Sequence, residues 1–131
     1  MIALDTNVLV RFITEDDPRQ AAASRALLAT PHETFFAADI VLVELVWTLR
    51  RLYRFSREDV VTVLQSLLDR SDFLVEDRQA AHDGVRRLAA GGDFADALIL
   101  SAARAQGCSC LASFDEAMKE GGPGFVVRPS R

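Results

Sequence analysis

Short apolar runs alternate along this chain with longer stripes of helical period, and turn-forming residues mark the junctions. Ile2-Ala3-Leu4 is an apolar run that stops at Asp5, and Asn7 to Ile13 can continue as a helix. Pro18 suits the first turn of a second helix, with Ala21 to Leu28 as its body and Pro31 beyond its end. Thr34-Phe35-Phe36 is short and extended in character, and Asp39 is placed to cap the strongly apolar stretch from Ile40 to Leu52. Ser56 opens a further helix in which Val60, Val63, Leu64 and Leu67 recur at helical spacing. Asp72 to Val75 then reads as a strand, and Arg78 to Ala90 as a helix halted by Gly91-Gly92. Asp93 or its neighbour caps a helix that runs to Ala105 and ends at Gly107. Cys108 to Ala112 is expected as a strand, Phe114 to Met118 as a helical turn, and Phe125-Val126-Val127 as a last strand.

Strands separated by helices need crossover connections, so the pattern predicts an α/β fold with a mostly parallel central sheet flanked by helices on both faces. At 131 residues the chain suits one core and a single domain. Half the residues are apolar and 26% are charged, which excludes a disordered chain. Asp5, Arg11, Glu44 and Asp96 break every apolar run well short of the roughly 18 residues a membrane span needs. No basic segment precedes the first apolar run, so it is not read as a signal peptide. A soluble, cytoplasmic chain without a membrane partner is the expectation.

Nineteen acids against fifteen bases give a net charge of −4, which is not the balance of a basic nucleic-acid-binding domain. The bases are Arg throughout except Lys119, and Arg offers phosphate a planar fork of donors. Cys108 and Cys110 make neither a disulfide framework nor a zinc site, and their apolar segment suggests core positions. His32 and His82 stand in unrelated polar surroundings, so a His-based active site is not expected.

The candidate chemistry is carboxylate chemistry. In open α/β sheets ligands sit beyond the carboxyl ends of the strands. Asp5 follows the first strand directly, and Asp115 follows the Cys108–Ala112 run by three residues. Each also suits a plain helix cap. Glu44 has Ile40, Val41 and Trp47 as helical neighbours, and a desolvated carboxylate there needs a partner, a proton or a metal. A solvated stripe of Glu44, Thr48 and Arg51 is the alternative. Asp93 and Asp96 share one face at the start of a helix, where free amides favour anions. Carboxylates gathered in one pocket repel, and a hard divalent cation relieves them; Mg²⁺ takes oxygen ligands and keeps several waters.

Four motifs occur in order: Ile2-Ala3-Leu4-Asp5-Thr6-Asn7-Val8-Leu9-Val10, the isolated Glu44, Asp93-Phe94-Ala95-Asp96-Ala97-Leu98-Ile99, and Leu111-Ala112-Ser113-Phe114-Asp115. Together they resemble PIN-domain ribonucleases, specifically the VapC-type toxins of bacterial toxin–antitoxin pairs. The resemblance covers nearly the whole chain and implies a single PIN-like domain over residues 1–131. It implies that Asp5, Glu44 and Asp96 are the three principal acids, Asp115 the fourth and Asp93 an accessory acid. Thr6 follows the first acid as in the family, and Ser113 stands where a small hydroxyl residue precedes the last acid. Extra acids often lie near the fourth position in the family; here only Glu116 does.

The implied activity is Mg²⁺- or Mn²⁺-dependent cleavage of single-stranded or loop RNA phosphodiesters, within a toxin–antitoxin pair. The resemblance also implies a small cognate antitoxin and a homodimer. RNA must be held beside negative charge, so contacts are expected from a rim: Arg50 and Arg54 lie beyond Glu44 with Arg57, and Arg11 follows the first motif. A haloacid-dehalogenase-type phosphatase also starts with a strand ending in Asp, but needs an acid where this chain has Asn7. A catalytically silent PIN scaffold that only binds a protein partner is the non-enzymatic alternative.

Overall fold

The structure, a computed structural model of the chain, describes residues 1–130. Two compact units divide it, Met1–Arg78 and the segment from Gln79 onward.

In the first unit, β1 (Ile2–Ala3) leads into α1 (Thr6–Thr14) and α2 (Pro18–Leu28), followed by β2 (Phe35–Ala37) and α3 (Asp39–Arg51). Next come α4 (Arg57–Leu68) and β3 (Phe73–Val75). The strands form one parallel sheet in the order β1-β2-β3, with Ile2 opposite Phe35 and Phe35 opposite Phe73. Parallel pairing puts the carboxyl ends of all three strands on one edge. That edge is followed by Asp5, Asp39 and Glu76, each within two residues of its strand. The caps are legible: Asp17 and Ser56 accept from Gln20 N–H and Asp59 N–H at the starts of α2 and α4. Leu9, Leu42, Leu45, Leu49, Val60 and Leu64 supply buried helix faces, and Phe35 and Phe73 are buried on the sheet.

Asp39 does not cap α3 with its side chain. Ala38 occupies the cap position, and Oε2 of Glu76, just past β3, accepts from the Asp39 N–H at 2.6 Å. A carboxylate from another strand end thus satisfies the first amide of α3, that of Asp39 itself.

The second unit carries α5 (Arg78–Ala89, which begins at the boundary), α6 (Phe94–Ala105), β4 (Leu111–Ala112), α7 (Glu116–Gly121) and β5 (Val126–Val127). β4 and β5 pair in parallel, Leu111 opposite Val126. Leu100, Met118 and Val126 form a small core with Leu111 and Phe125 against it. Gly91 at φ +98° ends the α5 turn in the left-handed region, as its sequence position predicts. At Gly84 a Cβ would stand 2.8 Å from the Phe94 ring, so α5 and α6 approach more closely than a side chain there permits.

The fold is α/β with parallel pairing, as expected, but the single sheet is divided into a three-stranded and a two-stranded one. Strands of two or three residues limit each ladder to a few bonds. The predicted Cys108–Ala112 strand shrinks to Leu111–Ala112, and Cys108 and Cys110 are exposed free thiols rather than core residues. The chain is still turning out of α6 at that point: Cys108 N–H donates to the Ala103 carbonyl, and Gly107 has φ +79°. Among the described residues, no helix is long and apolar enough to cross a membrane.

Candidate active site

Asp5 lies between β1 and α1 and caps that helix, its Oδ1 accepting from the Thr6 N–H at 2.8 Å. Its carboxylate is otherwise exposed. Thr6 is buried, and its Oγ1 has no hydrogen-bond partner. A buried hydroxyl without a partner is costly, so a polar ligand beside Asp5 has a group waiting for it.

Glu44 sits in the middle of α3, which packs against α1. The expected apolar enclosure is not observed. Ile40, Glu44, Trp47 and Arg51 recur at helical spacing and all four are exposed, Ile40 by 68% and Trp47 by 55%. The stripe is therefore solvated, as the alternative held, but its members are Ile40 and Trp47 more than Thr48. Apolar neighbours in sequence misled because two of them face outward.

In the second unit, Asp93 caps α6 and Asp96 stands in its first turn. Asp93 is exposed, whereas Asp96 is only 5% exposed and is the sole buried acid among the described residues. Burial pushes the Asp96 carboxyl up from the ordinary range, and the charges of Asp93 and Asp115 push it further; Arg87 opposes them. Asp115 caps α7, its Oδ1 accepting from the Ala117 N–H at 2.9 Å while its own N–H donates to Ser113 Oγ at 3.0 Å. Ser113 thus holds the loop that carries the last acid. Asp93, Asp96 and Asp115 share one electrostatic neighbourhood, which their motif positions suggested.

Sequence reasoning did not single out Arg87. It lies in the last turn of α5, where a cation ordinarily serves the helix dipole. Its Nη2 donates to Asp96 Oδ2 at 3.1 Å and to the Ala117 carbonyl at 2.9 Å, while its buried Nε has no partner. A Cβ on Gly121 would lie 2.8 Å from the Arg87 Cζ, so the glycine gives the guanidinium room. Nothing in the local sequence signals a partner nine residues away.

The expected basic rim is only partly free. Arg11 is tied to Gln20, Asp16 and Tyr53, and Arg50 donates to the Phe55 carbonyl at 3.1 Å. Arg54 is exposed, in the left-handed region at φ 54°.

The acids offer oxygen donors only, the chemistry of a hard cation. Among the described residues no three His, Cys, Asp or Glu side chains gather as a ready metal cage. A hydrated Mg²⁺ needs only one or two carboxylates directly, so the crowded charge at Asp96 fits such an ion.

The PIN domain family model matches residues 2–122. The chain belongs to the PIN domain family. Within it, the chain is 27% identical over 123 residues to a VapC ribonuclease of Aquifex aeolicus (strain VF5), covering 92% of this chain and 91% of that relative. No solved structure matches. Membership in the PIN family agrees with the order of motifs and with the α/β fold.

Proposed function

We propose that this PIN-domain protein is a Mg²⁺-dependent endoribonuclease that cleaves single-stranded or loop RNA, the toxin of a toxin–antitoxin pair. The similarity to a VapC ribonuclease over 92% of the chain carries the reading. The buried Asp96 carboxylate, pushed up by burial and by Asp93 and Asp115, supports a need for cationic charge at α6.

The residues assigned to the reaction are Asp5, Glu44, Asp96 and Asp115, with Asp93 as accessory acid and Thr6 and Ser113 in support. Asp5 and Asp96 are the first choices for holding the ion, and Asp115 the next. When bound, a divalent cation neutralises phosphate charge and makes water a better nucleophile. Glu44, exposed on α3, has the freedom to orient a water and take its proton, as do Asp93 and Asp115. Ser113 fixes the loop of Asp115, and Arg87 fixes the Asp96 carboxylate. Mn²⁺ replaces Mg²⁺ in this scheme, whereas the larger and more flexibly coordinated Ca²⁺ serves poorly.

A cognate antitoxin would silence the acids most directly with an Arg, whose fork pairs with a carboxylate through two bonds. The protein is proposed to act in the cytoplasm as a homodimer. The test is cleavage of single-stranded RNA by the purified protein in Mg²⁺, in excess EDTA, and after Mg²⁺ is restored. Cleavage that disappears and returns supports the reading; full activity in EDTA refutes the metal dependence. RNA left intact in every condition favours the scaffold that only binds a partner.

A further inference from the structure

Phe114 stands one residue before Asp115 with 67% of its surface exposed, in a loop that is not loose. Ser113 N–H donates to the Val127 carbonyl at 2.9 Å, and Asp115 is held by Ser113 Oγ and by its own bond to the Ala117 N–H. Arg128, the first residue after β5, donates through Nη1 to the Phe114 carbonyl at 3.2 Å. The Arg128 guanidinium also lies over the Phe114 ring, 5.4 Å from its centroid. Parallel pairing of β4 with β5, Ala112 opposite Val127, brings these two residues together. The Arg128 side chain is itself 60% exposed, and its ion pair with Glu116 is long, at 3.6 Å between two solvated groups. Such a pair holds the guanidinium only weakly.

An ordered aromatic ring left mostly in water forgoes the burial that usually stabilises such side chains. A cation against one face of that ring, beside an exposed acid, is chemistry suited to a nucleotide. Single-stranded nucleic acids are gripped by aromatic side chains on which bases stack and by cations that track the backbone. An Arg can do both, stacking by its plane and pairing with phosphate by its fork. We propose that Phe114 and Arg128 form a stacking platform for one unpaired base of an RNA strand and its phosphate, beside Asp115. The inference rests on the ribonuclease reading and names how its substrate is held. A base on Phe114 brings its phosphodiester to the loop that carries the Asp115 carboxylate. The platform selects unpaired over duplex RNA, because a paired base has no free face to offer.

The test measures binding of a labelled single-stranded RNA of random sequence, and of its duplex form, in EDTA, so that affinity is read without cleavage. Phe114→Leu keeps an apolar side chain and should weaken single-strand binding about tenfold, the scale of one base–aromatic stack. Phe114→Trp should restore or exceed wild-type affinity, and Arg128→Gln should weaken binding and flatten its salt dependence. Duplex binding should not respond to Phe114→Leu. Where Mg²⁺ supports cleavage, Phe114→Leu should raise KM and leave kcat nearly unchanged. Wild-type protein that binds but does not cleave, with Phe114→Leu losing the binding, keeps the platform and removes the nuclease reading. Unchanged single-strand affinity in Phe114→Leu overturns the platform, whether or not RNA is cut, and leaves the ring to a protein partner. A wild-type protein that does not bind the RNA overturns it as well.

Discussion

Arg87 holds Asp96 and α7 with a single nitrogen, its Nη2 lying 3.1 Å from Asp96 Oδ2 and 2.9 Å from the Ala117 carbonyl. The pair is well covered, with side-chain exposures of 19% and 8%. It joins the buried acid of α6 to the first turn of the helix that Asp115 caps. Arg87→Ala would strand a buried carboxylate and is expected to cost about 3 kcal/mol in urea unfolding, the scale for breaking a buried pair. Asp96→Asn keeps an acceptor for Arg87 and removes a charge that burial disfavours, so its cost should stay below about 1 kcal/mol. An Arg87→Ala cost no larger than that of Asp96→Asn would contradict the stranding of a buried charge at Asp96.

Asp5 and Asp115 both cap helices, and capping alone explains their positions. Asn caps as well as Asp, whereas Ala at a cap costs about 1 kcal/mol. Asp5→Asn and Asp115→Asn should therefore keep wild-type melting temperatures while losing RNA cleavage. The Ala variants should lose both. Thermal melts beside cleavage assays separate the two roles, and an active Asn variant would leave that residue a cap only.

The helices were legible in the sequence because their signals are local: Asp17 and Ser56 at caps, Pro18 in a first turn, Gly91 and Gly107 at ends. The short strands were legible as apolar runs, except where the chain leaving α6 kept turning and left Cys108 and Cys110 in solvent. The acids Asp5, Asp93, Asp96 and Asp115 stood out as candidates because each begins a helix or follows a strand. What the sequence concealed depends on distant partners. Glu76 caps α3 from another strand end, Arg87 reaches Asp96 across a turn, and Glu44 is exposed although most of its neighbours are apolar.

Two acids of the first unit should leave opposite marks on stability against pH. Hydrogen bonds from Tyr53, Arg11 and Thr14 lower the Asp16 carboxyl from 3.8 to about 2. The unfolded chain then binds the proton more readily, so Asp16 stabilises the fold above pH 3.8, and this is lost as pH falls toward 2. Asp39 is raised by burial first, then by Glu76 and Asp77. Here the folded chain holds the proton more tightly, so stability declines as pH rises from 3.8 through its raised value. At pH 7, Asp16→Asn should lower the melting temperature and Asp39→Asn should raise it. At pH 2.5 both differences should shrink. Shifts of the same sign at pH 7 would contradict these assignments.

Cys108 and Cys110 are exposed and unpaired. Both should react with a thiol reagent in native buffer without a slow phase. Ser at either position should change stability by less than about 0.5 kcal/mol, as surface substitutions do. A thiol that reacts only after unfolding would return that residue to the core.

Metal-dependent RNA cleavage through Asp96 is the central claim. Its most direct measurement is the single-turnover cleavage rate of single-stranded RNA by wild-type and Asp96→Asn protein over a Mg²⁺ titration, with melting temperatures recorded on the same samples. The wild type should gain rate and melting temperature together as Mg²⁺ saturates, because an ion that binds only the folded state stabilises it. Asp96→Asn should stay folded, cleave at least about a hundredfold more slowly, as expected when a group essential to the transition state is lost, and show little Mg²⁺-induced shift. An Asp96→Asn protein that cuts RNA at the wild-type rate, or a wild type whose rate ignores Mg²⁺, would contradict the account.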